Sequence, residues 1–172
     1  MDKEQEGILD SFKITTKAIL EIIDGLEEDQ LIRPKSVDIW SPVEILEHLY
    51  RSEVGYITLF TGPSKLVAGR TPTAKIDQFK SAFSTNDNQY KAPKITQPQK
   101  ELSTPIVIDK YHANRKLITT IISNNREKME YVMQKFSHPS FGYLTGIEWI
   151  AFSNIHTQRH IKQIKQRVRS MQ

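Results

Sequence analysis

Residues 145–169 read TGIEWIAFSNIHTQRHIKQIKQRVR, and this stretch decides the fold class. Thr145 with Glu148 three positions later forms a capping box, in which each side chain satisfies an amide that the first helical turn leaves without a partner. Behind it Ile147, Ile150, Ile161, Ile164 and Val168 recur at helical spacing, so the stretch predicts one long amphipathic helix ending near Arg169.

Working outward, the segment Ser137-His138-Pro139-Ser140-Phe141-Gly142 is a turn cluster. Before it, Asp109 to Ser123 carries Tyr111, Leu117, Ile118, Ile121 and Ile122 on one helical side, and Arg126–Phe136 either extends that helix or forms a separate piece. Ser41-Pro42-Val43-Glu44 is a second capping box with proline at the first helical position, and it predicts a helix running to about Phe60, before Gly62-Pro63. Its stripe Val43, Leu46, Leu49, Tyr50, Ile57 and Phe60 faces the core, with His48 at the border. Gln5 to Asp24 is a further helix, with Ile8, Leu9, Phe12, Ile14, Ile19, Leu20, Ile22 and Ile23, and it stops at Asp24-Gly25.

Residues 61–108 read as a long loop. They hold Gly62, Pro63, Gly69, Pro72, Pro93, Pro98 and Pro105 and the polar run Ser84-Thr85-Asn86-Asp87-Asn88, with short helical turns around Asp77–Phe83. A loop of that length in a compact domain usually covers a site. The expected architecture is a single all-α domain over residues 1–172, a four-helix bundle with a long crossover loop between helices two and three and no strand pair.

Composition narrows the function. The 172 residues carry 24 Lys+Arg against 20 Asp+Glu, a net charge of +4, with 38% hydrophobic and 26% charged residues. A chain of this size buries roughly 70% of the surface its unfolded form exposes, so it needs no metal or disulfide merely to fold. It has no cysteine, which excludes disulfides, cysteine-ligated zinc, iron–sulfur clusters and a cysteine nucleophile. The start MDKEQEGILD lacks the basic-then-apolar layout of a signal peptide, and no window approaches a membrane span, so a cytoplasmic location without membrane contact is expected. Acids concentrate in residues 1–30, whereas Arg159, Lys162, Lys165, Arg167 and Arg169 close the chain without an acid among them. Cations at a helix C-terminus complement its dipole. With a small net charge and no aromatic stacking platform, a nucleic-acid partner is not expected.

The sharpest chemical feature is His156-Thr157-Gln158-Arg159-His160. Residues four apart on a helix lie about 40° apart around it, so both imidazoles project side by side and can grip one metal ion. Trp149, Phe152 and Gln163 fall on the same side. Thr157 follows His156, so the general-base glutamate of a zinc-protease H-E-x-x-H is missing. Two histidines alone do not make a selective site. A third ligand has three candidates: His48, His112 and the turn residue His138.

Trp40-Ser41-Pro42-Val43-Glu44-Ile45-Leu46-Glu47-His48-Leu49, followed by Glu53, resembles the first signature of the DinB/YfiT-like four-helix-bundle metalloproteins. His138-Pro139 through Gly142, Leu144-Thr145, Glu148-Trp149, then His156, His160 and Gln163-Ile164 resemble the second, and Ala92-Pro93 and Pro98 ahead of Arg115 resemble that family's loop. The resemblance spans nearly the whole chain and rests on the order and spacing of the motifs. It implies a metal triad of His48, His156 and His160 and a homodimer.

A triad of this kind leaves coordination positions for water or substrate, and imidazole ligands suit zinc, nickel or iron among others. Members of the resembling family include transferases that use a low-molecular-weight thiol as cofactor, and a chain without cysteine would need that thiol from outside. Hydrolysis is a second chemistry open to the same site, with a small molecule as substrate in either case. Glu53 is unusual on a core-facing stripe and either orients a ligand, acts as base, or pairs with Arg115 or an indole N–H. Glu44 has its capping role and is a second candidate for orienting a ligand. Gln163, one turn beyond His160, is the candidate for contacting substrate. Two alternatives stand beside an enzyme: a non-catalytic metal-binding stress or interaction module of the same fold, and a bundle whose histidines are structural.

Overall fold

Both capping boxes form. The Ser41 amide donates to Glu44 Oε2 at 2.7 Å, and the Thr145 amide donates to Glu148 Oε2 at 2.9 Å, while each hydroxyl accepts from the amide three residues on. In this computed structural model, which describes residues 2–34, 39–84, 92–99 and 101–170, they open two of the bundle helices. The polar run Thr85–Asn88 lies outside the described residues, and so does the segment 35–38.

In chain order the elements are α1 (Lys3–Asp24), α2 (Glu28–Ile32), α3 (Pro42–Glu53), α4 (Tyr56–Thr61), β1 (Ser64–Leu66), α5 (Ile76–Ser84), a 3₁₀ turn (Lys94–Thr96), α6 (Thr104–Asn124), a second 3₁₀ turn (Arg126–Glu130), β2 (Tyr131–Met133) and α7 (Gly146–Arg169). The four long helices make the bundle: α1 packs along α7 and α3 along α6, and contacts of α3 with α7 and of α1 with α6 close the ring. The all-α bundle with its long connection between the second and third bundle helices is therefore present.

Four details depart from the sequence reading. The second helix does not run unbroken to Phe60 but breaks at Val54-Gly55. A Cβ at Gly55 would stand 3.2 Å from the Phe136 ring, so glycine leaves room for the close approach of that ring. The third bundle helix starts at Thr104, five residues earlier than expected, with Pro105 in its first turn, where a missing N–H does no harm. Residues 126–133 do not extend the helix but form a separate piece, and that piece contains an unexpected strand: after the 3₁₀ turn, β2 pairs antiparallel with β1 in the register Ser64↔Met133, Lys65↔Val132, Leu66↔Tyr131. Strands of three residues are too short to show a period of two, which is why no pair was expected. Finally, Ile14, counted in the apolar pattern of the first helix, and Leu117, placed on one side with Ile118, are 66% and 46% exposed.

The core has two parts. One gathers Phe12, Tyr56, Phe60, Phe79, Ile118 and Ile150, and the other Ile19, Ile23, Ile45, Leu49, Tyr111 and Ile164. The fully buried Arg115 bridges them, its guanidinium 4.3 Å from the centre of the Phe12 ring and 5.2 Å from that of Tyr111. The 61–108 connection is anchored to α7 through Glu148, whose carboxylate accepts both Arg70 guanidinium nitrogens at 2.5 and 2.9 Å and the Lys75 amide at 3.0 Å.

Candidate metal centre

His48 comes from the middle of α3, and His156 and His160 come from successive turns of α7. The packing of α3 against α7 brings the three rings together. His48 Nε2 lies 3.2 Å from His156 Nε2, and His160 Nε2 lies 3.0 Å from the same atom. All three candidate ligand nitrogens fall within 4.8 Å of one another. His48 and His160 are buried and His156 is half-buried.

The outer ring nitrogens fix the tautomers. His48 Nδ1 is 2.8 Å from the Thr96 carbonyl, which can only accept, so Nδ1 carries the proton and Nε2 presents a lone pair. His160 Nδ1 is 2.8 Å from Gln163 Oε1, and the same argument leaves its Nε2 unprotonated. Burial pushes all three imidazoles below their usual range, with the neighbouring rings adding to the shift at His156 and His160; His160 falls to about 3. The rings are neutral at pH 7, and at most one proton is available to His156 Nε2 for two lone pairs. At least one of the two close nitrogen–nitrogen contacts therefore has no proton to share, and a cation among the three nitrogens would satisfy them all. The donor set therefore fits a divalent ion held by imidazole, with each oriented ring backed by an acceptor, as metal-ligating histidines usually are.

Around the cluster the walls are aromatic. Trp40 stands 4.9 Å from His48, Phe152 stacks on His156 at 5.7 Å, and Phe83 approaches His156 at 5.8 Å. Two features of this surround escaped the sequence reading. Thr96 and its neighbours belong to the long connection, and α3 holds that segment by three residues in a row of turns: Glu47 accepts the Gln99 amide at 3.0 Å, His48 bonds Thr96, and Arg51 donates to the Ile95 carbonyl at 2.9 Å. A backbone carbonyl leaves no signature in sequence. Trp40, which precedes the first capping box, packs against the core and also stands as a wall of the histidine cluster.

The other candidates fall elsewhere. His112 is exposed on α6. His138 joins the aromatic group of Phe141 and Phe152, with ring centres at 4.8 and 4.6 Å, and burial lowers it to about 4. Glu44 is engaged in its cap. Glu53 is buried with Arg115: Arg115 Nη2 donates to Glu53 Oε1 at 2.6 Å and to Thr157 Oγ1 at 2.6 Å, and Ser153 Oγ donates to the same carboxylate oxygen at 2.5 Å. Its bonds run to the core and to α7, and none among the described residues reaches a histidine ring. Gln163 does reach the cluster, as the partner of His160.

Comparison with known proteins places these residues in context. Residues 11–164 match the DinB superfamily. The chain is 26% identical over 149 residues to the protein YuaE of Bacillus subtilis (strain 168), covering 84% of this chain and 86% of that one. Its fold resembles the solved structure of YfiT from Bacillus subtilis, described as a probable metal-dependent hydrolase with an unusual four-helix bundle topology. The TM-score is 0.62 at 14% identity, over 99% of this chain and 90% of YfiT.

Proposed function

The chain belongs to the DinB superfamily, and on that premise we propose that it is a metal-dependent enzyme acting on a small molecule, with one divalent ion held by His48, His156 and His160. The observation that carries this reading is the convergence of three Nε2 atoms, with the rings of His48 and His160 fixed from behind by Thr96 and Gln163. An ion bound there supplies Lewis acidity, lowering the pKa of a coordinated water or thiol. The chain itself orients the ligands, keeps them neutral by burial and walls the site with Trp40, Phe83 and Phe152.

Two reactions suit such a site. Transfer of an external low-molecular-weight thiol to an electrophile comes first, because it asks for no carboxylate base: Glu53 is committed to Arg115 and Glu44 to its cap. Hydrolysis is the second reading, favoured by the description of YfiT. We assign Glu53 a positioning role, since through Arg115 and Thr157 it ties α3 to the α7 turn that carries His156.

Elemental analysis of the untagged protein beside H160A tests the metal. About one zinc, nickel or iron ion per chain, absent from the variant, is the expected result. Consumption of an electrophile that requires both metal and added thiol then identifies the transferase, and consumption without thiol identifies the hydrolase. A protein that takes up neither zinc nor nickel overturns the proposal.

A further inference from the structure

A groove of about 610 Å³ lies on the outer face of α7 where α5 approaches it. It meets the histidine cluster twice. Gln163, the partner of His160, lines it, and so does Phe83, whose ring faces His156. Five cations line it as well, Lys80, Arg159, Lys162, Lys165 and Arg169, and no aspartate or glutamate is among the described residues that do. Lys80 is engaged with Asp77 at 2.8 Å, and Arg159 sits over the Phe83 ring at 5.5 Å. Lys162, Lys165 and Arg169 form no ion pair among the described residues.

Like charges three and four residues apart on a helix repel one another. The helix dipole accounts for cations in the last turn of α7, but its effect fades within that turn. It does not reach Arg159 or Lys162, and it cannot explain Lys80 on another helix. What these positions share is the groove. A concave site lined with one sign of charge concentrates ligands of the other sign.

We propose that this groove binds the anionic portion of the small-molecule substrate, a carboxylate or phosphate group, and so holds the remainder of the molecule beside the three histidines. The second half rests on the metal-dependent reading above; the anion site itself does not. The volume is that of a small-molecule site. A single-stranded nucleic acid would need a run of exposed aromatic rings, whereas Phe83 is the groove's one aromatic among the described residues and lies between Arg159 and His156.

Calorimetric titration of the full-length, metal-free protein with inorganic phosphate and with citrate tests the site, followed by the same titrations on zinc-loaded protein. Saturable binding, weakened by at least about tenfold in K162E/R169E while zinc uptake is unchanged, is the expected result. Should that variant unfold, as judged by circular dichroism, K162Q/R169Q takes its place with the same expectation. Absence of saturable binding of either anion, equal affinity in the variant, or an affinity that rises with the length of a single-stranded oligonucleotide overturns the proposal. Anion binding that survives in a protein unable to take up metal overturns the metal-dependent reading and leaves the groove standing.

Discussion

The Glu53–Arg115 pair and the His48–His156–His160 cluster both bring polar side chains into the same bundle, and both link α3 to α7. They differ in what satisfies them. Arg115 spends its Nη atoms on Glu53, Thr157 and, at 3.3 Å, Thr16, and its face on Phe12 and Tyr111; Glu53 Oε1 takes Arg115 and Ser153. Burial raises the Glu53 carboxyl and the Arg115 guanidinium opposes that shift, so the charge is answered inside the protein. His48 and His160 have acceptors behind them and lone pairs in front, both facing His156 Nε2. The pair sets charge against charge, although Glu53 Oε2 and Arg115 Nε have no partner among the described residues, whereas the cluster turns its nitrogens toward one point that a cation can fill. Three nitrogen donors converging within 4.8 Å mark the cluster as a metal site, and opposite charges facing each other mark the pair as structural.

Breaking the cluster should give the largest effect. H160A is expected to lose zinc affinity by more than the about 10–100-fold that removing an outer partner costs, with the loss read by chelator competition. Its metal-free stability should change far less, since the lost ring made its closest contacts with other site residues.

Breaking the pair should do the reverse. E53L leaves the Arg115 charge buried without its partner and is expected to lower unfolding free energy by about 3–5 kcal/mol in urea titrations. E53L/R115M should recover most of that, because two apolar side chains of similar volume replace the two charges together. If the double variant is as unstable as the single one, the pair's value lies in packing and not in mutual charge.

A smaller effect sharpens the boundary of the cluster. Q163A removes the acceptor behind His160 and should weaken zinc binding about 10–100-fold without altering stoichiometry. An unchanged affinity would place Gln163 with the groove rather than with the ligands.

An effect confined to acid pH concerns His138, a histidine in neither cluster. Its pKa is lowered from 6.5 to about 4 by burial, so between those values the unfolded chain binds the extra proton. Stability is therefore unaffected above pH 6.5 and falls as the pH drops from there toward 4. H138Q should flatten that part of the pH profile measured by thermal unfolding of the metal-free protein. A profile of unchanged slope would assign the acid sensitivity to other groups.

Much of the architecture was legible because its signals are local. Ser41/Glu44 and Thr145/Glu148 mark helix starts through side chains three residues apart, and both form. What failed was non-local or too short. The ring that approaches Gly55 at the helix break is Phe136, far along the chain, and the strand pair joins residues 64–66 to 131–133. At the site, the i, i+4 spacing of His156 and His160 was readable, and the Glu53–Arg115 partnership was one of several open to Glu53. The meeting of His48 with the α7 pair rested on resemblance until the packing of α3 on α7 placed it.

By itself the sequence determined the helices, their caps and the side-by-side projection of two imidazoles, because hydrogen bonding and 3.6-residue periodicity act within one segment. It also excluded thiol chemistry from the chain's own side chains, there being no cysteine. Only the tertiary structure decided that His48 completes a triad, that the Thr96 carbonyl fixes its tautomer, that Glu53 points to Arg115, and that Lys80 joins the cations of α7 in one groove. Those facts depend on distances between segments 40 to 110 residues apart, and distances of that kind are set by how helices pack and not by what any one of them contains.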